Sequence, residues 1–166
     1  MYIRQLNADD AESYFQLRLE ALQSSPESFV VTHSEEKEQE NPILNIKKRI
    51  DNLDSYTYGA FINDELYGIV TLKREIRLKI KHKANILGMY VSYKKQGQGI
   101  GKALLKQVIE KAKSLEIEQV HLSVVSSNES AKKLYTSFGF ETYGIEKKAL
   151  KLNNQYWDEE HMVLFL

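Results

Sequence analysis

The sequence predicts a mixed α/β protein, a mostly antiparallel central sheet of about seven strands with helices on both faces. Three observations predict it. In the first half, two runs rich in β-branched and aromatic residues, 56–62 and 66–73, flank Asn63-Asp64, which is a hairpin signal. In the second half, strand–helix–strand units demand parallel pairing through right-handed crossovers. The length, 166 residues, suits one domain over 1–166. A chain of that size buries ~70% of its unfolded surface and needs no staples.

The elements follow in order. Residues 2–6 read as a short strand, and Asn7 or Asp9 can cap a helix over about 9–24, with Tyr14, Leu17, Leu19 and Leu22 as its apolar positions. Pro26 closes it. Residues 34–52 read as a helix pair or one broken helix, since Pro42 after Asn41 marks a fresh start. After the hairpin, Ile76, Leu78 and Ile80 alternate with Arg77 and Lys79, a half-buried strand pattern. A strand over about 84–92 precedes a polar loop, Tyr93 to Gln98, and a long amphipathic helix carrying Ile100, Leu104, Leu105, Val108, Ile109 and Ala112. Val120 to Val125 is a further strand, Asn128 caps a helix running to about Phe138, and two last strands, about 140–152 and 156–165, flank Asn153-Asn154-Gln155. No repeat and no linker interrupts this order.

Composition removes several classes. With 23 Lys+Arg against 23 Asp+Glu the net charge is zero, so a nucleic-acid partner is not expected. The basic stretch Lys73 to Lys83 reads as a solvated face. The absence of cysteine removes disulfides, thiolate metal sites and a cysteine nucleophile, and the four histidines form no His-x-x-x-His pair, so no metal is expected. No apolar run reaches the ~18 residues of a membrane span, and Met1 to Gln5 lacks a signal peptide's apolar core. A cytoplasmic location is expected.

The sharpest local feature is Gln96-Gly97-Gln98-Gly99-Ile100-Gly101-Lys102, between a strand and a helix. Glycines let backbone N–H groups approach a ligand, and a helix N-terminus adds about half a positive charge, so the loop suits a phosphate or pyrophosphate. The Walker loop is excluded because Gln96 stands where its first glycine belongs and Ala103 follows Lys102. The dinucleotide fingerprint is excluded because Lys102 stands at its third glycine. What remains is Gln-x-x-Gly-x-Gly at Gln96, Gly99 and Gly101. About thirty residues on comes Asn128-x-x-Ala131-x-x-Leu134-Tyr135-x-x-x-Gly139-Phe140. Asn128 fits a helix cap, Ala131, Leu134 and Tyr135 share a helical face, and Gly139 suits a left-handed C-cap.

Together and in this order, the two motifs resemble the GCN5-related N-acetyltransferase (GNAT) superfamily over residues 86–140, and the element order suits that fold. The loop is similar to the family's Arg/Gln-x-x-Gly-x-Gly/Ala acetyl-CoA signature, with Asn128 and Tyr135 at matching positions of its second motif. The resemblance implies transfer of an acetyl group from acetyl-CoA to a primary amine, by direct attack in a ternary complex. The acceptor is a small-molecule amine or a protein N-terminus or lysine. It also implies that Gly97 to Lys102 surround the pyrophosphate, aided by Lys94, Lys95 and Lys102. Backbone groups of Met89 and Val91 receive the pantetheine and acetyl carbonyl, with Tyr90 between them facing the other side of the strand. The cofactor-binding set is therefore Met89, Tyr90, Val91, Gln96, Gly97, Gln98, Gly99, Ile100, Gly101, Lys102, Asn128 and Tyr135, with Tyr135 also the catalytic acid toward sulfur. Gly88 fits either a strand bulge or close packing. For the base, Glu75, Glu141, Glu146, His82 and His121 are all candidates. Phe29, Tyr56, Tyr143, Tyr156 and Trp157 are candidate acceptor-pocket residues, and Glu35, Glu36, Asp158, Glu159 and Glu160 could attract a cationic amine. Family members often dimerise, so a homodimer is also within the resemblance. A non-catalytic acetyl-CoA-binding sensor is the alternative that the loop alone leaves open, and Tyr135 favours the enzyme.

Overall fold

The computed structural model describes residues 1–166. Its seven strands are β1 (Tyr2–Gln5), β2 (Ser55–Ile62), β3 (Glu65–Arg74), β4 (Lys83–Val91), β5 (Gln119–Val125), β6 (Glu141–Leu152) and β7 (Gln155–Phe165). Its helices are α1 (Ala11–Ser24), α2 (His33–Lys37), α3 (Pro42–Ile50), α4 (Ile100–Ser114) and α5 (Glu129–Thr136). The strands form one sheet in the order β1-β2-β3-β4-β5-β7-β6, in which only β4 and β5 are parallel neighbours.

Local chemistry sets the ends of these elements. Asn7 accepts from Asp9 N at 2.9 Å, and Asp10 accepts from Asn7 N at 2.9 Å, so a reciprocal cap opens the 3-10 turn leading into α1. Pro42 occupies the first turn of α3, where its missing N–H costs nothing. The β2–β3 turn has Asn63 and Asp64 at φ 50° and 63°, and the β6–β7 turn has Asn153 and Asn154 at 47° and 63°. Both are left-handed pairs of the kind that match strand twist in a two-residue hairpin.

Two apolar layers cover the sheet. On one face, α4 and α5 bury Leu104, Leu105, Val108 and Tyr135 against Val70, Leu72, Val120 and Leu122. On the other, α1 and α3 bury Phe15, Leu17, Ile46 and Ile50 against Phe61, Ile69 and Tyr90.

Two expectations need correction. The alternation from Ile76 to Ile80 forms no strand. The segment is the turn between β3 and β4, closed by Glu75 N to Lys83 O at 3.0 Å, with Ile76 and Leu78 exposed. Because Arg74 already faces Ala84 in the antiparallel register, the residues between them are used in reversing the chain. The second correction concerns the crossover after β5. It does not set β6 beside β5, because β7 lies between and pairs antiparallel with both. One parallel pair therefore remains, joined through α4.

Candidate active site

The single parallel pair is short. β4 and β5 meet at Lys83↔Gln119, Ala84↔Val120 and Asn85↔His121, and then separate. A bulge accompanies the separation. Ile69 faces Tyr90 and Thr71 faces Leu87, so β4 carries one residue more than β3 between these rungs. Gly88 sits in it at φ +58°, a conformation that suits glycine. The extra residue resets the side-chain alternation. Met89 and Val91 pack on the α4–α5 face, and Tyr90 points to α1, where its hydroxyl meets Ser24 Oγ at 2.8 Å and Glu20 Oε1 at 3.0 Å. Burial pushes the Tyr90 phenol up, which keeps it a hydrogen-bond donor.

A cleft of about 690 Å³ opens on the α4–α5 side of the gap. Met89, Tyr90, Val91, Gln96, Gly97, Gly99, Ile100, Gly101, Lys102, Asn128 and Tyr135 all line it, as does Lys95. The side chains of Gln98 and Lys94 are exposed and do not line it. The N–H groups of Gly97 to Lys102 have no hydrogen-bond partner in the chain, and the first helical bond of α4 is Ala103 N to Gly99 O at 3.0 Å. Unpaired N–H groups at a helix N-terminus, together with its dipole, suit an anion. Gln96 Nε2 ties the loop to Val91 O at 3.1 Å. Asn128 Oδ1 accepts from Ala131 N at 3.1 Å and caps α5.

Tyr135 stands at the inner end of the cleft. Its hydroxyl donates to Met89 Sδ at 3.6 Å, and burial alone pushes its phenol up to about 12. It therefore stays protonated throughout the neutral range.

A second cavity, of about 930 Å³, lies on the α1 side, and a narrow one of about 110 Å³ lies at the gap between them. Ser28 and Phe29 border all three. Both belong to the stretch after α1, where the sequence reading named Phe29 as a candidate acceptor-pocket residue but not Ser28. Of the proposed acceptor residues, Phe29, Tyr143 and Glu159 line the large cavity, whereas Tyr56, Tyr156, Trp157, Glu35, Glu36, Asp158 and Glu160 do not. Glu36 is instead buried against Arg18 Nε at 2.8 Å and Arg49 Nη1 at 3.6 Å. Glu160 pairs with Lys132 at 3.0 Å on the opposite face, and Asp158 pairs with Lys147 at 2.8 Å. Arg18, Arg49, Lys73 and Lys83 reach the wall, against Glu75 and Glu159. Among the candidate bases, Glu75 and His121 line this cavity, and Glu141, Glu146 and His82 do not. Burial lowers the His121 imidazole, with Lys83 and His82 adding to the effect, while burial raises the Glu159 carboxyl. No group of three His, Cys, Asp or Glu side chains is arranged to hold a metal.

The sheet therefore opens after three parallel rungs, with a loop of unpaired N–H groups at one side of the opening. The family profile of the GNAT acetyltransferase domain matches residues 3–161. The chain belongs to the GNAT acetyltransferase family, whose members are acetyl-CoA-dependent N-acetyltransferases. It is similar to the L-amino acid N-acetyltransferase AaaT of Escherichia coli (strain K12), with 30% identity over 104 residues. That match covers 62% of this chain and 64% of that protein. A Bacillus subtilis protein described as the probable N-acetyltransferase YjcK is 25% identical over 99% of this chain and 92% of its own length. Among solved structures, one described as a probable acetyltransferase from Staphylococcus epidermidis superposes with a TM-score of 0.82 at 29% identity, covering 99% of this chain and 98% of the other. A Salmonella typhimurium structure described with its cofactor acetyl-CoA gives a TM-score of 0.82 over 100% of this chain and 94% of its own. At 17% identity that likeness speaks for the fold.

Proposed function

We propose that this protein moves the acetyl group of acetyl-CoA onto a primary amine by direct attack in a ternary complex. The observation that carries the reading is the meeting of two cavities at the β4–β5 gap, so that donor and acceptor approach one point from opposite faces of the sheet. On the donor side, the free N–H groups of Gly97 to Lys102 hold the pyrophosphate, with Lys95 and Lys102 adding positive charge. Backbone groups of Met89 and Val91, freed by the divergence of β5, orient the pantetheine arm and stabilise the developing oxyanion.

Tyr135 serves the leaving sulfur. A free thiol has a pKa near ~8.5, so complete proton transfer from a phenol at about 12 is uphill by roughly 5 kcal/mol. Burial therefore makes Tyr135 a hydrogen-bond donor that stabilises sulfur as the C–S bond breaks, with transfer completed only as the phenol recovers a proton. The acceptor is an amine that also carries an anionic group, such as an α-amino acid. Arg18, Arg49, Lys73 and Lys83 outnumber Glu75, Glu159 and the nearby Glu36, and the E. coli relative is named for L-amino acids.

Thiol release from acetyl-CoA against amino acids, polyamines, aminoglycosides and peptides tests the reading, beside calorimetric titration of acetyl-CoA. Turnover is expected on amino acids, and Tyr135→Phe is expected to lower kcat on the order of 100-fold with little change in the acetyl-CoA KM. Unchanged kcat would remove Tyr135 from the chemistry. Tight acetyl-CoA binding without turnover on any amine would overturn the transferase.

A further inference from the structure

Three side chains on neighbouring strands form a hydrogen-bonded chain at the acceptor side of the gap. Ser123 Oγ lies 2.8 Å from His161 Nδ1, and His161 Nε2 lies 3.1 Å from Glu146 Oε2. Ser123 and His161 face each other directly across β5 and β7. Glu146 joins them because of a bulge in β6. Thr142 faces Met162 and Gly144 faces His161, so β6 advances two residues while β7 advances one. In unbroken register Ile145 would oppose Glu159. With the bulge Glu146 does, which puts its carboxylate on the face of His161.

The direction of the chain follows from its end member. An ionised carboxylate only accepts, so the imidazole hydrogen sits on Nε2 and Nδ1 is left as an acceptor for the Ser123 hydroxyl. The Ser123 oxygen keeps its lone pairs for the cavity. Ser123 is two residues past the last β4–β5 rung, at His121, and is exposed. It borders both the acceptor cavity and the narrow gap that Tyr135 also lines. The other charged and titratable groups that line the same cavity are Arg18, Arg49, Lys73, Glu75, Lys83, His121 and Glu159, with Tyr143 packed 6.1 Å from the His161 ring.

Given acetyl transfer at this site, we propose that Ser123, His161 and Glu146 form the relay that takes the proton from the acceptor ammonium, an assignment that rests on that function. The acceptor N–H bond breaks as an O–H bond forms at Ser123, and the original Ser123 proton passes to His161 Nδ1. Ser123 ends unchanged, the imidazolium is held by Glu146, and the freed nitrogen lone pair attacks the acetyl carbonyl. His161 then returns its proton to solvent. Ser123 is the catalytic residue, while His161 and Glu146 position and drain it. The proton is collected on the acceptor face and Tyr135 serves sulfur on the donor face, so the two proton sites lie on opposite sides of the sheet.

Two measurements test the relay. In ¹⁵N-labelled protein without ligand, the neutral His161 ring is expected as the Nε2–H tautomer. A predominant Nδ1–H tautomer overturns the relay. With acetyl-CoA and L-phenylalanine as probe, Ser123→Ala and His161→Gln are expected to lose on the order of 100-fold in kcat at pH 7, with the acetyl-CoA KM within about twofold. The deficit should close by about tenfold per pH unit as the amine loses its own proton. Glu110→Gln, a control on the exposed outer face of α4, should keep the wild-type profile. Wild-type pH profiles in both relay variants overturn the relay even where the tautomer is as expected. Absence of thiol release from wild type with L-phenylalanine instead overturns the amino-acid acceptor, and the tautomer then decides the relay alone.

Discussion

Arg4 and Asp10 show what one pair of residues contributes. Arg4 Nη1 and Nη2 donate to Asp10 Oδ2 and Oδ1, both at 2.7 Å, while the guanidinium lies 4.2 Å above the Phe61 ring. The same carboxylate accepts from Asn7 N, so it fastens β1 to the entry of α1. The Arg4 hydrogen bond is the largest cause that holds the Asp10 carboxyl below its ordinary value. A depressed carboxyl stabilises the fold above its unfolded pKa, near ~3.9, and loses that contribution as pH falls through the folded value. Asp10→Asn is therefore expected to lose about 1 kcal/mol at pH 7. The difference from wild type should shrink below about pH 4. Urea unfolding at pH 7 and pH 3 checks it, and an equal difference at both pH values refutes the pairing as its source. At this scale the sequence was informative where a residue acts on its near neighbours. Asn7, Asn128, Gln96 and Tyr135 have local signatures: the two asparagines cap their helices, and Gln96 and Tyr135 line the cleft. Ser123 and His161 had none, because their contact depends on a strand pairing across 38 positions.

Strand β4 does the most at the next scale. Its bulge at Gly88 swings Tyr90 toward α1 and leaves Met89 and Val91 facing the cleft. Opposite them, Gly101 lies in the first turn of α4, with its missing side chain directed at Leu134 Cδ2, 3.3 Å from an ideal Cβ, and at Met89 Cε, 3.5 Å away. Gly101→Val is expected to weaken acetyl-CoA binding by at least about tenfold by calorimetry, because each lost 1.4 kcal/mol of fit is a factor of ten. Its circular dichroism should stay that of wild type, and undiminished affinity would place the pantetheine elsewhere. Hairpin ends were legible because Asn63-Asp64 and Asn153-Asn154 carry their own turn chemistry. The false strand at Ile76–Ile80 shows the limit of alternation, since Leu78 is 83% exposed and no layer covers it. The insertion of β7 between β5 and β6 has no local signal, because each strand is equally suited to either neighbour.

Over the whole molecule, the sheet divides into β1-β2-β3-β4 and β5-β7-β6, each bonded antiparallel throughout, with three parallel rungs between them. The alternating polarity of the strands and the helices that cover both faces were readable from periodicity. The division was not, because strands that part look locally like strands that pair. Mechanically, the protein is two plates meeting along a brief seam, with α4 laid as a brace across β2, β3 and β4. A ligand seated between the plates acts as a mortar joint. Saturating acetyl-CoA at about 100 times its Kd should add roughly 2.7 kcal/mol to stability. That corresponds to a melting temperature about 5–10 °C higher. Amide exchange should slow most on the strand edges facing the seam, at 86–91 and 122–125, and far less at the outer margin of β6. Uniform slowing over the sheet would mean that the plates already move as one body before the cosubstrate arrives.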